Sequence, residues 1–144
     1  MSLFALVACS SVPDRGVERA ANAEAGRQAY LEALDSLPGD PGRARIRLAH
    51  FVRLYPGSTH APKAAYKLAE LAVVQKDPAD AERWLDWILR EHPRSPLAER
   101  ARLKLGELQL EDGKSRRAEA TLEKLRFSKL SEADRIRAYR LLAR

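Results

Sequence analysis

Residues 55–72, YPGSTHAPKAAYKLAELA, come back over residues 92–109 as HPRSPLAERARLKLGELQ, a shift of 37 positions. Pro56 falls on Pro93, Ser58 on Ser95, Ala61 on Ala98, Ala64 on Ala101, Lys67 on Lys104, Leu68 on Leu105, Glu70 on Glu107 and Leu71 on Leu108. The same shift carries Ala81, Glu82 and Leu85 onto Ala118, Glu119 and Leu122. Applied backwards, it takes Asp77-Pro78 to Asp40-Pro41, Leu85 to Leu48, Ile88 to Phe51, and Leu68 and Leu71 to Leu31 and Leu34. Applied forwards, Ala101 meets Ala138 and Leu105 meets Leu142. One register held over so many positions identifies a tandem repeat, whose units bury their apolar faces by stacking on one another.

Each unit reads as two helices. In the middle unit, helix A runs over about residues 60–75, with Pro62 in its first turn, where the missing N–H costs nothing. Ala61, Ala64, Ala65, Leu68, Leu71 and Ala72 form a stripe of helical period. Asp77 is placed as the N-cap of helix B, with Pro78 at its first position, and helix B ends before Pro93. The first unit is expected to have helices over residues 17–37 and 42–54, and the third over 97–111 and 115–127. A seventh helix starts near Ser131, where Ser131 and Asp134 have capping-box spacing. The fold class expected is all-α: a right-handed α-solenoid of about three helix-turn-helix repeats plus a C-terminal helix.

Composition agrees. Hydrophobic residues make up 45% and charged residues 32%, which is globular rather than disordered. The net charge of +6 lies in residues 113–144, where ten Lys or Arg face four Asp or Glu. That end reads either as a solvated helical end or as a basic face for an acidic protein or anionic lipid. Only Phe127 and Tyr139 stand among these cations, fewer aromatic residues than a nucleic-acid stacking platform requires, and nucleic acid is not expected. The single cysteine excludes an intrachain disulfide and a Cys/His metal cluster. The sequence has no Gly-rich phosphate loop, HExxH or nucleophile elbow. The reading is therefore a binding protein, not an enzyme, without cofactor or metal.

These positions resemble the tetratricopeptide repeat, lengthened from its usual 34 residues. Leu68, Ala69, Ala81, Leu85 and Pro93 occupy the family's Leu, Gly/Ala, Ala, large-apolar and Pro positions. Leu105, Gly106, Ala118 and Leu122 do so in the third unit, with Leu130 where Pro is expected; the first matches at Leu31, Ala44, Leu48 and Pro56 but departs at Glu32. Ala65, Ala72, Arg102 and Gln109 stand at aromatic positions of the family's helix A, which argues against its standard recognition of a peptide carboxylate. The longer unit with its Tyr-Pro-x-Ser join is similar to repeats of bacterial envelope lipoproteins. Among these are BamD-like assembly factors, division and wall coordinators, and the N-terminal domain of penicillin-binding-protein activators. The resemblance implies a concave groove formed by the A helices. Lys63, Tyr66, Glu70 and Val73 line it from the second unit, and Arg100, Leu103, Glu107 and Leu110 from the third. A partner peptide or helix would lie there. Trp84 and Trp87, on helix B beside its apolar stripe, form a second candidate interface.

Leu6-Val7-Ala8-Cys9 fits a lipobox, making Cys9 the expected lipidation site and Ser10-Ser11 the start of a tether. No Lys or Arg precedes the motif, and Leu3–Ala8 is shorter than a signal h-region. Either the native signal has been trimmed, leaving Met1-Ser2-Leu3 as a cloning remnant, or the motif is fortuitous. Residues 1–16 are then lipobox remnant and tether, and 17–144 the repeat domain, which ends half a repeat in, as a solvating cap or as a cut from a longer protein. The expected setting is periplasmic, anchored to the outer membrane through Cys9, or cytoplasmic if the motif is fortuitous. The expected function is a scaffold for a wall-synthesis or outer-membrane-assembly protein. The alternatives are a self-associating stalk without a groove and a cytosolic adaptor.

Overall fold

A computed structural model describes residues 15–143 of the chain. Cys9 and the lipobox lie outside the described residues. Within them are seven α helices and no strand: α1 (Arg15–Asp35), α2 (Pro41–Leu54), α3 (Ala61–Val74), α4 (Pro78–Glu91), α5 (Ala98–Glu111), α6 (Ser115–Leu122) and α7 (Glu132–Leu142). Each of α1 to α6 packs chiefly on its neighbours in the chain, and α7 packs on α5 and α6. The chain is an all-α repeat solenoid.

The 37-residue register is visible in the helix ends. Helices α2, α4 and α6 start at residues 41, 78 and 115, and α3 and α5 span 61–74 and 98–111. Local chemistry sets these starts. The Asp40 side chain accepts from the Arg43 N–H at 2.9 Å, and the Asp77 side chain accepts from the Asp80 N–H at 3.0 Å. Each satisfies an otherwise orphaned first-turn donor. The third unit has Lys114 at this position, so α6 starts without a side-chain cap. The joins repeat as well. The Ser58 N–H donates to Tyr55 O at 3.0 Å and the Ser95 N–H to His92 O at 2.9 Å. Both serine Oγ atoms accept from the N–H two residues on, at 3.2 Å. Tyr55 and His92, each preceding a proline, share nearly the same backbone conformation.

Packing follows from small residues. Ala61, Ala64, Ala65, Leu68, Ala69 and Ala72 of α3 are buried, as are Ala81, Leu85 and Ile88 of α4. Each fully buried leucine or isoleucine contributes about 1.5–3 kcal/mol. The tightest approach is at Gly106 of α5. A Cβ built there would lie 2.4 Å from Leu122 Cδ2 and 2.6 Å from Leu122 Cγ. The family's Gly/Ala position is thus filled by a residue that admits the α6 leucine.

The structure corrects two readings of the sequence. In α1 the inward residues are Gly26, Ala29, Tyr30, Ala33 and Leu34. They precede Ala61, Ala64, Ala65, Leu68 and Ala69 by 35 residues, not 37. Leu31, expected to match Leu68, is 42% exposed. The cause is a shorter first unit: Ala44 follows Leu34 by 10 positions whereas Ala81 follows Ala69 by 12, because α1 ends four residues earlier in register than α3 and the longer connection at 36–40 restores only two of them. Glu32, a departure from the family pattern at a shift of 37, is accordingly exposed.

The second correction concerns α6, expected to reach Phe127; it stops at Leu122 and a 3-10 turn covers Phe127–Lys129. The Arg126 N–H is drawn away to the carboxylate of Glu99, at 2.9 Å, which also accepts from Arg126 Nε at 2.6 Å and Arg102 Nη1 at 2.8 Å. Glu99 is 2% exposed. Burial pushes its carboxyl up, but the Arg126 N–H and the two guanidinium groups outweigh this and hold it below the ordinary carboxylate value. At α7, the Ser131 hydroxyl accepts from the Asp134 N–H at 3.2 Å, as the capping spacing predicts, and donates to the Asp134 carboxylate at 2.8 Å.

Two outcomes are expected from these contacts. Gly106→Ala gains up to about 1 kcal/mol of helix propensity but forces Leu122 to move, costing about 1–3 kcal/mol. A lowered melting temperature is expected, and a raised one contradicts the close approach. Because the folded pKa of Glu99 is depressed, its contribution is present above the unfolded value and fades as pH falls through the folded one. Glu99→Gln is therefore expected to lose about 1–3 kcal/mol at pH 7, with a smaller difference from the parent in urea titrations at pH 3.

Candidate functional site

The expected groove residues come from α3 and α5, and the structure separates them into two groups. Lys63 and Arg100 are exposed, and Tyr66, Glu70, Val73 and Leu110 are partly exposed. The Arg100 guanidinium lies over the Tyr66 ring at 5.3 Å from its centroid, joining the two helices by a cation–π contact. Burial raises the Tyr66 hydroxyl pKa and Arg100 opposes the rise. Glu70 is paired with Lys67 of its own helix at 2.6 Å.

Leu103 and Glu107 are different. Leu103, expected in the groove, is 1% exposed and packs in a cluster with Leu122, Leu125, Leu130 and Ala138. Its counterpart in the preceding unit, Tyr66, has Arg100 beside it, whereas Leu103 is covered by α7. The Glu107 carboxylate accepts from Arg137 Nε at 3.0 Å and Nη2 at 2.7 Å, with Lys104 at 3.4 Å. This forked pair ties α7 to α5. The strip open to a partner is therefore Lys63, Tyr66, Glu70, Val73, Arg100 and Leu110, and α7 closes its far end. Arg137 escaped the sequence reading, although the repeat pointed to it: Lys63, Arg100 and Arg137 occupy one register position.

Trp84 and Trp87 are both half-buried on α4. Trp84 Nε1 donates to Asp80 Oδ2 at 3.3 Å, and the Arg83 guanidinium lies 5.7 Å from the Trp84 ring centroid. The Trp87 ring rests against His92 at 5.1 Å, and His92 Nε2 is 2.7 Å from Pro56 O. Neither indole faces the groove strip; with Val52, Arg53 and Arg90 they line a cleft between α2 and α4.

The two junction histidines have packing partners. His60 stacks on Tyr30 with ring centroids 5.0 Å apart, and His92 joins α4 to the Pro56 turn. Among the described residues no group of three or more His, Cys, Asp or Glu side chains is placed to hold a metal ion. No helix among them is long and apolar enough to cross a membrane.

The model of the tetratricopeptide repeat-like domain family matches residues 4–133. No curated protein matches the sequence.

The forked pair and the open strip predict opposite behaviour on truncation. Arg137→Ala is expected to cost about 0.5–1.5 kcal/mol, and a double-mutant cycle with Glu107→Gln to show a coupling of about 0.5–1 kcal/mol that shrinks in high salt. Lys63→Ala is expected to stay within about 0.5 kcal/mol of the parent. Equal costs for Lys63 and Arg137 would remove the distinction.

Proposed function

The chain belongs to the tetratricopeptide repeat-like domain family, whose members serve as protein-interaction scaffolds, and from that premise we propose that it is a lipid-anchored scaffold of the bacterial envelope. Its partner, a wall-synthesis or outer-membrane-assembly protein, lies along the α3/α5 strip. The observation that carries the binding mode is the Arg100–Tyr66 contact, which sets an exposed cation over a half-buried aromatic ring, with exposed Lys63 three residues before Tyr66 on the same helix. Such a strip suits an extended segment or helix with apolar side chains and carboxylates, each apolar side chain being worth most where water is excluded. The Tyr-Pro-x-Ser join and the Leu-Val-Ala-Cys sequence at residues 6–9 support the envelope setting.

Two measurements test the parts separately. A photo-crosslinking amino acid at Lys63 in the native, full-length protein should trap one dominant envelope protein, with trapping lost on Tyr66→Ala and Arg100→Glu. Trapping that survives both changes argues against the strip. Labelling with radioactive palmitate should be lost on Cys9→Ser, and an unlabelled parent protein sinks the anchor while leaving the strip intact.

A further inference from the structure

We propose that the cleft between α2 and α4 is a second docking site, made for an acidic segment of a partner protein that carries an apolar anchor. The cleft, of about 580 Å³, has an apolar floor formed by Val52, Trp84 and Trp87 and is edged by Arg53, Arg83 and Arg90. It contains no groove residue, so it does not depend on the α3/α5 strip.

The repeat itself shows that the two indoles are not an obligation of packing. At the register position of Trp84 the neighbouring units carry Arg47 and Thr121, and at that of Trp87 they carry His50 and Lys124. At the next junction Thr121 stands on α6 and Lys124 lies beyond its end at Leu122, while Glu82 of α4 meets Lys114 and Arg117 at the start of α6. Two large aromatic side chains at one junction alone are therefore an addition to the scaffold. Both rings are held: Trp84 by its bond to Asp80 and the guanidinium of Arg83, Trp87 by His92. Rigid aromatic rings beside arginine are the composition of a binding hot spot.

Charge names the occupant. Arg53 and Arg90 are exposed at equivalent positions in the last turns of α2 and α4, and neither pairs with a carboxylate among the described residues. Asp80, which accepts from the Trp84 indole, is already shared between Arg45 and Arg83. A segment whose carboxylates flank apolar side chains sets the charges against Arg53 and Arg90 and the apolar groups against the indoles. The concavity of the site, and the fixing of both rings within it, favour a protein segment over a membrane surface, which would be entered by protruding aromatics.

Trp84 and Trp87 are the only tryptophans of the chain, so their emission reports on this cleft alone. The probe is the blocked peptide Asp-Glu-Leu-Phe-Glu-Asp, titrated into the intact protein. A saturable change in emission is expected, with affinity falling about tenfold or more between roughly 0.05 and 0.5 M NaCl. The Arg53→Glu, Arg90→Glu double variant should lose the response while keeping the parent's melting temperature. Equal binding of Lys-Arg-Leu-Phe-Arg-Lys, no saturable response to the acidic peptide, or an unchanged response in the double variant overturns the proposal. So does a blue shift on anionic vesicles in place of a peptide response, which assigns the cleft to a membrane. A concentration-dependent emission change that tracks dimer in sedimentation overturns it in favour of a second copy. Loss of the α3/α5 strip by Tyr66→Ala should leave the peptide response unaltered.

Discussion

Helices in this chain approach one another closely because the residues between them are small, and the rest of the structure depends on that contact. Alanine at positions 44, 81 and 118 of the B helices is wholly buried in every unit, as it is at 64, 101 and 138 of α3, α5 and α7. Leu48, Leu85 and Leu122 then fill the space between paired helices, and at Gly106 even a methyl group is one too many. Close packing of this kind admits little change in volume. It also fixes which side chains are left outside, and those are the ones available to partners.

A second set of contacts ties one part of the array to the next. Three carboxylates are buried among the described residues, those of Asp80, Glu82 and Glu99. Asp80 of α4 receives Arg45 of α2, Glu82 of α4 receives Lys114 before α6, and Glu99 of α5 receives the backbone and guanidinium of Arg126. Each lies within ion-pair distance of two cations, Arg45 and Arg83, Lys114 and Arg117, and Arg102 and Arg126, as a buried charge must. These bonds specify how helices seat on one another; the apolar contacts supply most of the stability.

Much of this was legible in the sequence because a repeat is compared with itself. Asp40 and Asp77, each followed by proline, marked two B-helix starts, and the Pro-x-Ser joins marked two A-helix starts. Elsewhere the comparison failed for physical reasons. A register read by one shift cannot see that the first unit is two residues shorter between the core positions of its two helices, so it placed Leu31 inside. Helical periodicity cannot see a carboxylate 27 residues away, and so α6 was extended past Leu122, where Glu99 takes the Arg126 N–H. Leu103 was assigned to the groove because Tyr66 shares its position, but exposure there depends on the next A helix, which for Leu103 is α7. The Trp84/Trp87 pair was noticed from composition, while the arginines that edge its cleft required three dimensions.

The packing of each helix on its chain neighbours has a kinetic side. Almost every contact joins residues within about one repeat of each other, so loops closed during folding are short and cheap in entropy. A chain of this kind assembles from any adjacent helix pair and propagates outward, and it comes apart by losing end units before the middle. The centre, α3 with α4, holds the most alanine-lined interface, whereas α7 is held by a few apolar side chains and the Arg137 fork. Opening of α7 therefore precedes global unfolding, and amide protons of α7 exchange sooner than those of α3 and α4.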